Sequence, residues 1–538
     1  MTAPTNPQCT EPAASTRNAA SRRRARTLYC RGALAAVAFA SMSVLAAACG
    51  SARPSLSGSA STKSPGYEQA VAYARCMRAH GLNFPAPPPS GNARISVQAA
   101  PGSPAARAND ACRHLLSGIS SRGTATLPEP SPHSTAATDC LTASACYGPR
   151  QFRVTYGIQP LLARGITGHE VTVVLPEEAE TGPARPQPIS HLLQSVTDIR
   201  HDLADFDSRF GLPAAHVQVI TTLAGASASP WLAGVEEVED TELVHAVAPD
   251  ATIRELLVNP AEVSTPAKLA TTFSSYVRAA VSRGEVISQS GIGQNFNVGE
   301  SSWSTKEVAT INSALKYAAA RHVTVVVASG DYGAIGNGSS TPRKEVSLPA
   351  SDPWALAAGG TTLTANPATG AYHSETAWNV QSGSPDGSGG GFSRLFARPR
   401  YQHGVPGIGA SRGVPDVAGD ATGTTGMALA FTAPGGGDEL IGAGGTSAAA
   451  PFWAGLIALA DQAAGHALGF VNPAIYRIAQ GPLYHKAFHD VTAGNNTVSL
   501  NGATITGYQA GAGWDPVTGW GTPNAEVLIP LLARHASH

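Results

Sequence analysis

The sequence predicts an α/β fold, a doubly wound parallel sheet with helices on both faces, plus a small disulfide-linked helical appendage at the N-terminus. Three observations predict it. Short β-branched runs at residues 171–175, 253–258, 286–289 and 323–328 read as buried strands. Amphipathic windows at 193–206, 266–282 and 305–321 read as helices alternating with them, the pattern of parallel strands joined by helical crossovers. A chain of 538 residues exceeds one average domain, which leaves room for a large catalytic unit behind an N-terminal appendage. No internal repeat is apparent. With a net charge of -1 and only 14% charged residues, nothing in the charge supports nucleic-acid binding.

The elements follow in order from the N-terminus. Arg22, Arg23, Arg24 and Arg26 precede an uncharged apolar stretch at 33–48, which reads as a signal peptide because it is shorter than the roughly 20 residues of a membrane span. Leu45-Ala46-Ala47-Ala48-Cys49 resembles a lipobox with its leucine one place early, so a lipid on Cys49 is expected; plain cleavage near Ala48 is the alternative. An exported, lipid-anchored or extracellular monomer follows. Residues 49–66 read as a flexible tether, 67–117 as a small cysteine-paired segment, and 118–138 as a linker. Cys76, Cys112, Cys140 and Cys146 form an even set in an oxidising compartment, which suggests Cys76 with Cys112 and Cys140 with Cys146. The main domain is expected over 139–538.

Three stretches of that domain carry chemistry. Gly444-Gly445-Thr446-Ser447 opens the small and apolar run that contains Pro451, which puts one hydroxyl at a helix N-terminus where free amides face developing negative charge. An ordinary helix cap is the bland reading. A serine nucleophile needs a base, yet none of the 16 histidines sits in a His-Gly-Thr setting, and His245 reads as a routine helix histidine. The acidic run at 236–240 offers another base. Glu236 and Asp240 are spaced i,i+4 on one helical face, where like charges repel unless a proton is kept between them. The alternative is a solvated acidic face. Finally, the valine-rich strand at 325–328 runs into Ser329-Gly330-Asp331, which delivers Asp331 where such a sheet holds ligands; a turn cap is the alternative.

Together, Glu236 with Asp240, the Ser-Gly-Asp331 strand end, and Gly-Thr-Ser447 with Pro451 resemble the sedolisin family, serine-carboxyl peptidases with a subtilisin-like fold. The likeness runs from Cys146-Tyr147-Gly148-Pro149 to Trp520-Gly521-Thr522-Pro523, with 389–393 and 412–417 as further landmarks. The resemblance implies an acid-active endopeptidase acting on proteins or peptides. It implies Ser447 as nucleophile, Glu236 as general base, Asp240 as its partner and Asp331 as the oxyanion-hole acid. It also implies one structural Ca2+, held by the side chains of Asp490 and Asp515 and the carbonyls of Val491, Gly511 and Gly513, a set of oxygen donors suited to a hard cation. Two departures stand out. The large prosegment of such enzymes is replaced by the short appendage and linkers, and Ser288-Gln289-Ser290-Gly291 lacks the usual tryptophan of a Ser-Trp-Gly segment. A catalytically silent, membrane-tethered binding protein and a serine esterase are the rival readings.

Overall fold

The four β-branched runs lie side by side in one eight-stranded sheet. Its strands are β1 (Thr172–Glu178), β2 (His216–Leu223), β3 (Thr252–Val258), β4 (Val286–Gln289), β5 (Val325–Ala328), β6 (Leu356–Ala365), β7 (Tyr372–Ala377) and β8 (Val417–Asp420). They are ordered β8-β6-β5-β4-β1-β3-β2, all parallel, with β7 antiparallel to β6. The computed structural model describes Cys112 and residues 146–178, 199–223, 234–281, 286–291, 298–338, 343–380, 385–432, 438–500 and 502–535.

The main helices are α1 (Ile199–Phe210), α2 (Val235–Val247), α3 (Pro266–Ala280), α4 (Thr305–Ala319) and α5 (Gly445–Ala464). Alternate side chains of β1 feed two cores. Val173 and Leu175 pack with α2 and α5, whereas Val174 joins Leu269, Phe273, Ile311 and Leu315 of α3 and α4 on the opposite face. Local sequence sets the ends of these helices. Thr265 caps α3 ahead of Pro266, and Ser304 and Glu307 form a reciprocal capping box on α4. Helix α5 is buried on nearly all sides because it lies across β1, β4, β5, β6 and β8 with α2 alongside, which is why its sequence is apolar all round.

The winding reverses between β1 and β4. From β1 the chain goes outward to β2 and β3, then returns to β4 and proceeds the other way through β5 and β6. The crevice beyond the carboxyl ends at such a reversal is where open α/β sheets bind ligands.

His245 lies in the last turn of α2, away from the serine. It is fully buried, and its Nε2 lies 2.8 Å from Asp207 Oδ1, which ties α2 to α1. Cys112 and Cys146 are each engaged in a disulfide. The pairing itself, the signal peptide, Cys49, the tether and most of the appendage lie outside the described residues. Among the described residues no helix is long and apolar enough to cross a membrane.

Candidate active site

Ser447 sits in the first turn of α5, where the amides have no intrahelical acceptor. Gly445 before it has φ of +74°, and a Cβ there would lie 3.1 Å from Asp331 Oδ2, so the approach of this turn to the aspartate requires glycine. Pro451, one turn into the helix, has no N–H to give the Ser447 carbonyl.

Helix α2 is not a solvated acidic face. Glu237, Glu239, Asp240 and Glu242 are 2%, 6%, 1% and 0% exposed, and each meets a different partner. The Ser447 hydroxyl lies close enough to the Glu236 carboxyl to favour its charged form. Glu239 Oε2 accepts from the Gly444 amide at 2.9 Å and so anchors the turn that precedes the serine. Asp240 Oδ2 accepts from Ser290 Oγ at 2.8 Å. Glu242 Oε2 accepts from the Ala430 amide at 2.9 Å.

Asp331 follows the end of β5 and meets the turn that carries Ser447. Its Oδ1 accepts from the amide of Thr446 at 2.7 Å and from the Thr446 hydroxyl at 2.8 Å, which leaves Oδ2 as the oxygen able to carry a proton. The Thr446 hydroxyl in turn accepts from the Gly330 amide at 3.0 Å, locking strand end and helix start together. The structure therefore brings Glu236, Asp240, Asp331 and Ser447 together from three distant segments.

Burial dominates the electrostatics. It pushes Glu236 up to about 7, opposed by the Ser447 hydroxyl and reinforced by the charge of Asp331. Burial, together with the charge of Glu236, holds Asp240 well above the usual carboxylate range, and burial likewise raises Asp331 against its two Thr446 donors. Glu236 and Asp240 thus form a carboxyl pair in which burial favours retention of a proton.

Glu177, Glu239 and Ser290 belong to this cluster and were not anticipated from sequence. Glu177 lies at the carboxyl end of β1, is 3% exposed, and shares a carboxyl–carboxyl hydrogen bond with Asp240; burial raises it strongly, and the charges of Asp240, Glu236 and Glu255 add to the push. An acid closing a strand at the sheet's ligand edge is the signal that would have found it. For Ser290 the only signal is that its stretch, 288–291, lacks the tryptophan of a Ser-Trp-Gly segment.

At the expected calcium site, the carboxylates of Asp490 and Asp515 flank one glycine loop. Gly513 donates to both oxygens of Asp490 at 3.1 Å, and Gly511 donates to Asp515 Oδ2 at 3.2 Å. The Trp514 indole seats the loop by donating to the Pro415 carbonyl at 3.0 Å. Among the described residues no cluster of three or more His, Cys, Asp or Glu could hold a metal, so binding here would depend on backbone carbonyls beside the two carboxylates. That all-oxygen donor set fits calcium. Burial pushes Asp515 up to about 6, a cost that a nearby cation would offset. Elsewhere, the landmark residues Arg412 and Asp416 form a fully buried ion pair at 2.6 Å.

The subtilase-family sequence model matches residues 221–472. Kumamolisin of Bacillus sp. (strain MN-32) is 41% identical over 247 residues, 44% of this chain and 41% of kumamolisin. Sedolisin of Pseudomonas sp. (strain 101) is 39% identical over 213 residues, 38% of this chain and 34% of sedolisin. The chain thus spans at most about two fifths of the length of these curated relatives. The solved structure of Pseudomonas sedolisin, a serine-carboxyl proteinase complexed with two molecules of pseudo-iodotyrostatin, matches with a TM-score of 0.58 at 27% identity, over 71% of this chain and 97% of that one. In sequence over those stretches, and in architecture, the chain is similar to the sedolisin family.

Proposed function

We propose that the chain is an exported, acid-active serine-carboxyl endopeptidase that hydrolyses peptide bonds through an acyl-enzyme on Ser447. The observation that carries this reading is the Ser447 hydroxyl beside the half-buried Glu236 carboxyl, in a turn whose Thr446 amide is held by Asp331. Ser447 Oγ attacks the peptide carbonyl carbon while its proton passes to Glu236. The oxyanion accepts hydrogen bonds from the Asp331 carboxyl and the Ser447 amide. Glu236 then returns the proton to the leaving nitrogen as the C–N bond breaks, next takes a proton from the water that attacks the ester carbon, and passes it to the Ser447 oxygen as the C–O bond breaks. Asp240 retains its proton and keeps Glu236 oriented.

Acid activity follows from two acids that serve only while protonated, Asp331, which donates to the oxyanion, and Asp240, which keeps Glu236 oriented. Once Asp331 is neutral its charge no longer raises Glu236, so the base ionises at lower pH than it would beside a charged Asp331. A quenched fluorescent peptide library assayed from about pH 3 to about pH 8 is expected to give cleavage that peaks in acid. No peptide turnover at any pH favours the silent binding protein, and turnover of esters alone favours the esterase. Asp331→Ala is expected to lower kcat by about a hundred- to a thousandfold with KM little changed; wild-type kcat in that variant would remove Asp331 from the oxyanion hole.

We also propose that Asp490 and Asp515, with the carbonyls of Val491, Gly511 and Gly513, hold one calcium ion. Bound there, it supplies positive charge that pins the glycine loop and takes no part in the reaction. Chelation is expected to lower the thermal midpoint by roughly 5–10 °C, restored by calcium and not by magnesium. An unchanged midpoint rejects the site.

A further inference from the structure

Ser290 lies in the stretch that lacks the tryptophan of a Ser-Trp-Gly segment, directly after β4, and is 6% exposed. Its Oγ lies 2.8 Å from Asp240 Oδ2 and 3.1 Å from the carbonyl oxygen of Ser447. Both acceptors are open for identifiable reasons. The Ser447 carbonyl would ordinarily receive the amide of the residue four places on, but that residue is Pro451, which has none. Asp240 is buried and needs a donor for whichever oxygen bears charge. A serine hydroxyl has one proton and cannot satisfy both at once.

We propose that Ser290 is a positioning residue for the reaction: its hydroxyl proton alternates between Asp240 and the Ser447 carbonyl, so the backbone behind the nucleophile is fully seated only while Asp240 holds its own proton. An ionised Asp240 is the stronger acceptor and draws the proton to itself, leaving the Ser447 carbonyl without a donor. A protonated Asp240 releases it to that carbonyl. The state of the acid pair is thereby transmitted to the first turn of α5 without any movement of the sheet. Asp240 faces Glu236 on its own helix, Glu177 from the end of β1 and Glu255 from β3, and all of these are acids. Their mutual repulsion favours the protonated form of Asp240, the form in which Ser290 serves the carbonyl.

The inference rests on the peptidase reading, so the test runs in the full chain beside Ser447→Ala. With one quenched peptide selected from the library, Ser290→Ala is expected to lower kcat by about ten- to a hundredfold at the acid optimum, with KM within about twofold, because the seat of the nucleophile is lost and the substrate cleft is not. Loss of the donor also raises the proton affinity of Asp240, so the alkaline limb of kcat should move up by about half a unit to one unit. Ser290→Thr restores the hydroxyl and should recover both kcat and the limb, and it reports on the role if the alanine variant folds poorly. Wild-type kcat and an unmoved limb in Ser290→Ala overturn the proposal. Equal impairment of the alanine and threonine variants with an unmoved limb also overturns it, since that outcome marks a role in packing alone. Full turnover by Ser447→Ala sinks the peptidase reading itself, whatever Ser290 does.

Discussion

Ser447→Ala is expected to abolish peptide cleavage, with a loss in kcat of about 10⁴-fold or more. The size follows from the way the parts act as a unit. Glu236 has no proton to accept once the hydroxyl is gone, and Asp331 has no oxyanion to stabilise if no acyl-enzyme forms. The folded state should be unharmed. The hydroxyl's partner is Glu236, which can keep its own proton instead, and alanine is well tolerated in the first turn of a helix. The measurement is library cleavage near the acid optimum together with the thermal midpoint. Retained cleavage in a folded variant would exclude Ser447 as the nucleophile.

A second large effect is expected on stability. The fold buries many carboxyls whose proton affinity is raised by burial: Glu177, Glu237, Glu239, Asp240 and Glu242 around α2, and Asp352, Asp420 and Asp461 elsewhere, the last three pushed up to about 6, about 8 and about 7. In the unfolded chain such acids titrate near about 4. The folded state therefore holds protons that the unfolded state has already released. Stability is complete below about pH 4 and falls as pH rises from there through the folded values, the reverse of the usual paired carboxylate.

Asp420 illustrates the size. Its Oδ1 accepts from the amides of Leu363 at 3.2 Å and Thr422 at 3.3 Å, while the buried Oδ2 has no donor and is satisfied only by keeping a proton itself. A rise from 3.8 to about 8 corresponds to several kcal/mol lost on crossing that range. The thermal midpoint should drop by about 10 °C or more between about pH 4 and about pH 8, and Asp420→Asn, which mimics the protonated acid, should make the decline shallower. A midpoint that is flat or rises with pH would contradict the assignment of these acids as neutral in the folded state.

The strands that could be read from sequence are those built of valine and isoleucine. The run at 286–289 coincides with β4, and β3 begins one residue before the run at 253–258. Strand β1 continues past residue 175 through Pro176 and Glu177 to Glu178, and proline followed by two acids conceals its ligand-bearing end from any reading by hydropathy. Strand β6 was not foreseen because it is written in alanine, glycine and threonine. Gly360 has no space for a larger residue, since a Cβ there would meet Ala421 at 2.7 Å and Trp378 at 2.9 Å. Helix α2 defeats periodicity for another reason. It is buried around most of its circumference, so its acids occupy positions that an amphipathic pattern assigns to water. Spacing identified Glu236 and Asp240 as neighbours. It could not reveal that Glu239 reaches Gly444 or that Ser290 lies against Asp240, because those contacts join segments about 205 and 50 residues apart.

The reversal of winding between β1 and β4 has an evolutionary consequence. The acids hang from strand ends and from a helix wedged against the sheet, while the chain leaves the two strands on opposite sides of the crevice. The connections that form its rim can lengthen, shorten or be exchanged without disturbing the groups beneath. Relatives on this scaffold can therefore diversify what they grip while inheriting one unaltered set of proton-handling parts.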